Sequence, residues 1–347
     1  MRPLTWRRLL GQCTVLATVL FVVVILALKL GAVPISLYGL GRDLLQLIFG
    51  QTSALSSDYR LIVMDIRLPR ILLAIVVGAS LSVAGTSFQA LLRNPLADPY
   101  VLGVSSGASL GAILALIAEP HLSLSPAVAA LLTPAGAFLG AAATIAVVYL
   151  LGRRQGQIES STLLLAGIIT ASFLSAIIML LMNTLAGRGD LRGMAYWLMG
   201  DLSVSLQQSL GWLLVIGFVA SAGAIYTTAA DLNLLLTGEK EAMHLGVDVQ
   251  RVRLVVYIAA SILTGLAVSV SGAIGYVGLL VPHVMRLIFG FDHRSLLPTA
   301  AFGGAIALVI ADTLARTVVA PAELPVGTMT AIAGAPLFIY LLRRRMP

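Results

Sequence analysis

Charge is scarce in this chain of 347 residues: Asp, Glu, Lys and Arg make up 11% of it, against about 25% in a typical water-soluble domain. So little charge cannot cover a water-facing surface, which excludes a soluble fold. Cysteine is scarcer still. The single Cys13 rules out an intrachain disulfide and leaves no thiol cluster for zinc or an iron–sulfur centre. Only two lysines occur, Lys29 and Lys240, and neither stands in the G-x-x-x-x-G-K-[ST] pattern that cradles nucleotide phosphates. Any ATP must therefore bind a partner. "HExxH" is absent, and no Ser/His or Asp/Asp pair is placed for chemistry, which argues against an intramembrane enzyme.

What fills the chain instead is aliphatic sequence, 59% of it hydrophobic, in runs near the roughly 20 residues that cross a bilayer. The runs are continuous rather than alternating, so they predict helices and not barrel strands. The fold class is an all-α polytopic membrane protein, one transmembrane domain over 1–347, with about ten spans near 13–35, 68–92, 101–118, 126–151, 162–185, 205–227, 250–271, 275–290, 296–316 and 325–342. The N-terminal "MRPLTWRRLL" reads as the lead-in to an uncleaved first span rather than as a signal peptide. On this layout Arg2, Arg7, Arg8, Arg93, Arg153, Arg154, Lys240, Arg251, Arg253, Arg286, Arg294 and Arg343 to Arg345 share one side, 14 of the 22 Lys and Arg. That side is cytoplasmic by the positive-inside rule, and both termini lie on it. The same rule accounts for the formal charge of +7 without a nucleic-acid partner.

Two non-spanning stretches stand out. Residues 35–60 carry an amphipathic pattern (Leu40, Leu44, Leu45, Ile48) suited to the outer interface. Residues 228–250 form the longest cytoplasmic loop and mix charge with apolar side chains, as a short docking helix would. A third stretch, "RNPLADPYVLGVSSGASLG" at 93–111, breaks the pattern of spans: Asn94 and Asp98 each precede proline and are pushed away from helix, so the chain turns twice there. Backbone freed at membrane depth must be paired by protein or water, which favours a cavity wall. The Gly/Ser run after it permits close helix contact, the plainer alternative. A weak echo of this interruption occurs from Ser271.

"RLPR" (Arg67 to Arg70), "RNPLADPYVLGVSSGAS", "YWLMGDLS", "GAIGYVGLLVPHVMRL", "DHRSLLP", "ADTLAR" and "ELPVGTMTAIAGAP" follow one another through the chain. Together they resemble the permeases of bacterial ABC importers for iron–siderophore complexes, haem and vitamin B12 (the FecCD type). The resemblance implies a homodimer in the bacterial inner membrane, two cytoplasmic ATPase subunits that bind ATP and Mg²⁺, and a periplasmic binding protein that delivers the chelate; this chain itself would bind no cofactor and no metal. It implies that Asn94 and Leu96 form a cytoplasmic gate, with Ser160 and Ser161 as the opposing constriction, although Glu159 beside them departs from the pattern. It assigns ATPase coupling to Gly238, Glu239, Lys240, Glu241, Ala242, Leu245 and Gly246. Residue type adds that the three charges would be exposed and that Ala242, Met243, Leu245 and Val247 would fill a partner's groove; a merely solvated connector is the alternative. Arg67, Arg70 and Arg316 are either headgroup-seeking arginines at helix ends or, as the resemblance implies, the docking points for carboxylates of the binding protein; Asp312, one turn before Arg316, offers an internal partner.

His283 and Asp292–His293–Arg294 lack ligand spacing, so hydrogen bonding is expected of them rather than metal binding. Met179, Met182, Met194 and Met199 read as adaptable packing. An ion-coupled secondary transporter is the competing function, and Asp312 is its one candidate carboxylate within the membrane.

Overall fold

The computed structural model describes residues 5–31, 33, 61–154, 157–185, 188–203 and 208–345, and thirteen α-helices run through them. Ten of these overlap the stretches expected to span: α1 Trp6–Lys29, α2 Leu68–Leu91, α3 Val104–Ala118, α4 Pro126–Leu151, α5 Ser160–Thr184, α7 Gln208–Thr227, α10 Val249–Ser271, α11 Val277–Phe289, α12 His293–Thr317 and α13 Val326–Arg345. Three shorter helices, α6 Arg188–Met199, α8 Ala229–Leu235 and α9 Glu239–His244, lie between them. The first span differs most from expectation: α1 begins at Trp6, where Thr5 caps it by accepting the Arg8 N–H, and ends at Lys29 rather than at 35. The amphipathic stretch 35–60 lies outside the described residues. A two-residue hairpin, β1 Arg153–Arg154 with β2 Gln157–Ile158, was not anticipated.

Seven of the helical segments are long and apolar enough to cross a bilayer. α3 and α11, at 15 and 13 residues, reach only about 20 Å at 1.5 Å per residue, short of a hydrocarbon layer of about 30 Å. Each follows an interrupted stretch, and the two interruptions meet. Pro99 lies against Gly278, which in turn packs on Gly85 within α2. The break at 272–276 therefore runs beside a span instead of beyond its end. The Tyr100 hydroxyl closes it, accepting the Ile274 N–H at 2.8 Å and donating to the Ile274 carbonyl at 2.7 Å.

α2, α10 and α12 are mostly buried, whereas α1, α4, α5 and α7 present most of their surface outward. Lipid tails are as apolar as leucine, so close backbone packing rather than water exclusion holds such helices together. Glycine supplies it. Gly78 meets Gly304 between α2 and α12, and on the G-x-x-x-G faces of α3 and α4, Gly107 meets Gly140 and Gly111 meets Gly136. The Gly/Ser run of the sequence is thus a packing seam, the plainer of its two readings.

Gly111→Val would drive its side chain into the Gly136 carbonyl. We expect it to cost about 1–3 kcal/mol or more, read as a lowered unfolding temperature in detergent. Gly211→Ala, where nothing lies within 4 Å, should be neutral or slightly stabilising.

Candidate functional site

The chain turns twice after α2, as the two prolines require. Arg93 adopts φ 49° at the position usually taken by glycine; the Asn94 and Arg93 N–H groups then return to the Gln89 and Ala90 carbonyls and close the helix end. Asn94 Oδ1 accepts the Leu96 N–H at 2.9 Å, and Asp98 Oδ1 accepts the Tyr100 N–H at 2.9 Å. Both residues before proline therefore shape their own turns. The surrounding protein pushes the part-buried Asp98 carboxyl up to about 6, against the pull of the Tyr100 N–H. Leu96 stands exposed at the tip.

Across from this loop, the hairpin leads into α5. Ser160 donates to the Leu91 carbonyl at 3.2 Å, tying the start of α5 to the last turn of α2. Glu159 holds Ser161 at 3.3 Å and Thr162 at 2.7 Å through its two carboxylate oxygens. A cleft of about 660 Å³ brings Arg93, Asn94, Ser160 and Ser161 together with Glu239 and Arg253. Three of the four expected constriction residues thus share one space with the expected coupling segment, and Leu96 lies off its wall. Above the cleft, Tyr257 packs edge-on to Phe88 and stacks on Tyr149, joining α10, α2 and α4.

The coupling segment is more deeply anchored than a solvated loop. Asn233 of α8 donates to Asp292 at 2.7 Å and accepts the His293 N–H at 2.8 Å; Arg93 donates to the Leu235 carbonyl at 2.8 Å. α9 sits between Gly238 (φ 140°) and Gly246 (φ 89°), conformations that favour glycine. Two expectations need correction here. Ala242 and Val247 do not face a partner: both are buried in this chain's own core, because the helix is only six residues long and must seat one side. Glu239 is not a free surface charge, since it pairs with Arg253 and lies 3.7 Å from Arg93. Lys240, Glu241, Met243, Leu245 and Gly246 remain exposed. Arg253, Gln250 and Tyr100 were missed by sequence reasoning. Their partners lie 14, 92 and 174 positions away, beyond any local pattern.

At the opposite end the three arginines do not form an open cationic rim. Arg67 donates to the Leu28 and Val33 carbonyls at 2.7 and 2.5 Å, near the end of α1; Arg70 bonds Asp312 at 2.8 Å and Glu323 at 2.7 Å; Arg316 lies 3.0 Å from Asp312. All three are buried. A guanidinium cannot stay buried without carboxylate or carbonyl partners, and these helices supply them. Asp312, the one carboxylate on which the competing ion-coupled reading would rest, lies between Arg70 and Arg316. No group of three potential metal ligands occurs among the described residues. Asp292 instead caps α12, bonding the Arg294 N–H and guanidinium, and the Arg294 hydrogen bond holds its carboxyl below the usual range.

Residues 19–344 match the FecCD transport family. The haemin transport system permease protein HmuU of Yersinia pestis is 44% identical over 288 residues, 81% of this chain and 83% of that protein. The cobalamin import system permease protein BtuC of Halobacterium salinarum is 43% identical over 286 residues, 82% of this chain and 74% of that protein. A solved ABC transporter of proposed metal-chelate type, in an inward-facing conformation, superposes with a TM-score of 0.81 at 30% identity, covering 97% of this chain and 99% of that one.

Asp312→Asn would leave Arg70 and Arg316 buried without their shared counter-charge. The expected loss is about 3–5 kcal/mol, measured by thermal unfolding in detergent. Asp292→Ala should cost about 1 kcal/mol as a lost cap. Because the folded carboxyl titrates low, its contribution is complete above the ordinary carboxylate range and disappears as pH falls through the folded value. A pH series should therefore show the wild type losing, on acidification, an increment of stability that Asp292→Ala never had.

Proposed function

The chain belongs to the FecCD transport family, and on that footing we propose that it is the membrane permease of an ATP-driven importer that carries a bulky metal chelate (haem, cobalamin or an iron–siderophore) into the cytoplasm. Its relatives are permease subunits rather than enzymes, and ATP with Mg²⁺ belongs to the partner ATPase. The working unit is a homodimer of ten-span subunits in the bacterial inner membrane, both termini cytoplasmic, with two ATPase subunits below and a periplasmic binding protein above. The observation that carries this reading is the cytoplasmic cleft, where Asn94, Ser160 and Ser161 share a wall with Glu239 at the start of α9. Asn94, Leu96, Ser160 and Ser161 act as gates that rigid-body movement opens. The exposed face of α9, with Lys240, Glu241, Met243 and Leu245, meets the ATPase. The binding protein docks at the opposite end, above the cluster that seals Arg67, Arg70 and Arg316 within the bundle, where the half-exposed Glu323 is the member of that cluster within its reach.

Haem and cobalamin relatives are equally close to this chain, so both are probes, with an iron–siderophore as the third. The test is uptake into vesicles holding the permease with its ATPase, loaded with ATP, supplied with binding protein and depleted of the proton gradient by an ionophore. One probe should accumulate only when ATP is present. Uptake that vanishes with the gradient and ignores ATP would overturn the reading.

A further inference from the structure

Between α9 and the two constriction loops lies one carboxylate with two cationic neighbours. Glu239, the first residue of α9, pairs with Arg253 of α10 and lies 3.7 Å from Arg93 of the loop after α2. Arg253 is buried, and its other guanidinium nitrogen donates to the Ile158 carbonyl at 2.9 Å. The Ile158 N–H in turn donates to Gln250, one helical turn before Arg253, at 3.1 Å. Ile158 is thus clamped to α10 through both of its backbone groups, two residues before Ser160. On the other branch, Arg93 adjoins Asn94 and also holds the Leu235 carbonyl, the end of α8.

We propose that Arg253 and Arg93 are positioning residues that divide the movement of α9 between the two gates: Arg253 passes it to Ser160 and Ser161 through Ile158, and Arg93 passes it to Asn94 and Leu96. The chemistry suits a mechanical link. A guanidinium is planar, stays charged and presents its donors in a fixed fork, so one side chain grips two elements at set angles. Charge-assisted hydrogen bonds of this kind are about twice as strong as neutral ones. In the Glu239–Arg253 pair the arginine is buried, while the Glu239–Arg93 contact, longer and with both side chains part-exposed, is screened more and is the softer branch. An apolar contact would let α9 slide, because packing has no fixed bond direction. The inference rests on the reading of α9 as the ATPase contact.

The division makes an asymmetric prediction. In a Cys13→Ser background, Ser161→Cys and Leu96→Cys, both at exposed positions, report the two gates through their rates of modification by a membrane-impermeant maleimide. Rates are taken in the assembled permease–ATPase complex, without nucleotide and with ATP plus vanadate. The unaltered complex should change its rate at both positions. Arg253→Gln should at least halve the change at Ser161→Cys and leave most of it at Leu96→Cys; Arg93→Gln should do the reverse. Arg253→Lys, which keeps the charge for Glu239 but loses the fork to Ile158, should fall between and guards against a poorly folded glutamine variant. Equal loss at both positions, no loss at either, or no nucleotide response in the unaltered complex overturns the proposal. The reading of α9 is tested separately: Met243→Glu with Leu245→Glu should abolish co-elution with the ATPase, and undisturbed assembly would sink that reading instead.

Discussion

A backbone polar group left unpaired in hydrocarbon costs several kcal/mol, and the interruptions of this chain are built around that constraint. At several of them, among the described residues, a particular side chain meets the freed backbone. Tyr100 closes the break at 272–276 by bonding both backbone groups of Ile274. Ser160 takes the Leu91 carbonyl at the end of α2, Arg93 takes Leu235, Arg253 takes Ile158, and Arg67 takes three carbonyls near the end of α1. These bonds do more than remove a penalty. Each runs between elements distant in sequence, so satisfying the backbone also fixes where a gate loop or a helix end must sit.

The bundle gives those bonds a stiff frame. Glycine on facing helices lets α2 approach α11 and α12, and α3 approach α4, so closely that no side chain fits between. Helices locked in this way move as bodies, the behaviour a transporter that opens one end requires. The aromatic group of Phe88, Tyr149 and Tyr257 ties α2, α4 and α10 at the end of the bundle where the cleft lies. The cleft is therefore backed by a packed layer rather than a loose lattice of loops.

The two ends of the molecule treat charge in opposite ways. On one side Arg70, Asp312 and Arg316 are sealed within the bundle, and only Glu323 reaches solvent. On the other, Glu239 and Arg93 stay part-exposed in an open cleft, with the buried Arg253 behind them. A sealed cluster holds helices in register. A partly open one can change partners when something docks beside it.

Much of this protein was legible in its sequence. Scarce charge and long apolar runs gave a helical membrane protein, because span length and lipid chemistry are local properties of a segment. The X-Pro pairs located the double turn after α2, and they do so by sterics that need no neighbour. The motif strings pointed to the family that the comparisons bear out. Other features depended on tertiary structure. Whether Arg70 faces water or Asp312 and whether Glu239 is free or held by Arg253 are settled by residues from 14 to 253 positions away, and that Ala242 faces its own core is settled by the packing around it. Sequence states which side chains carry charge or bulk; only the folded chain decides which of them meet, because the energy of burying a polar group is set by its partner.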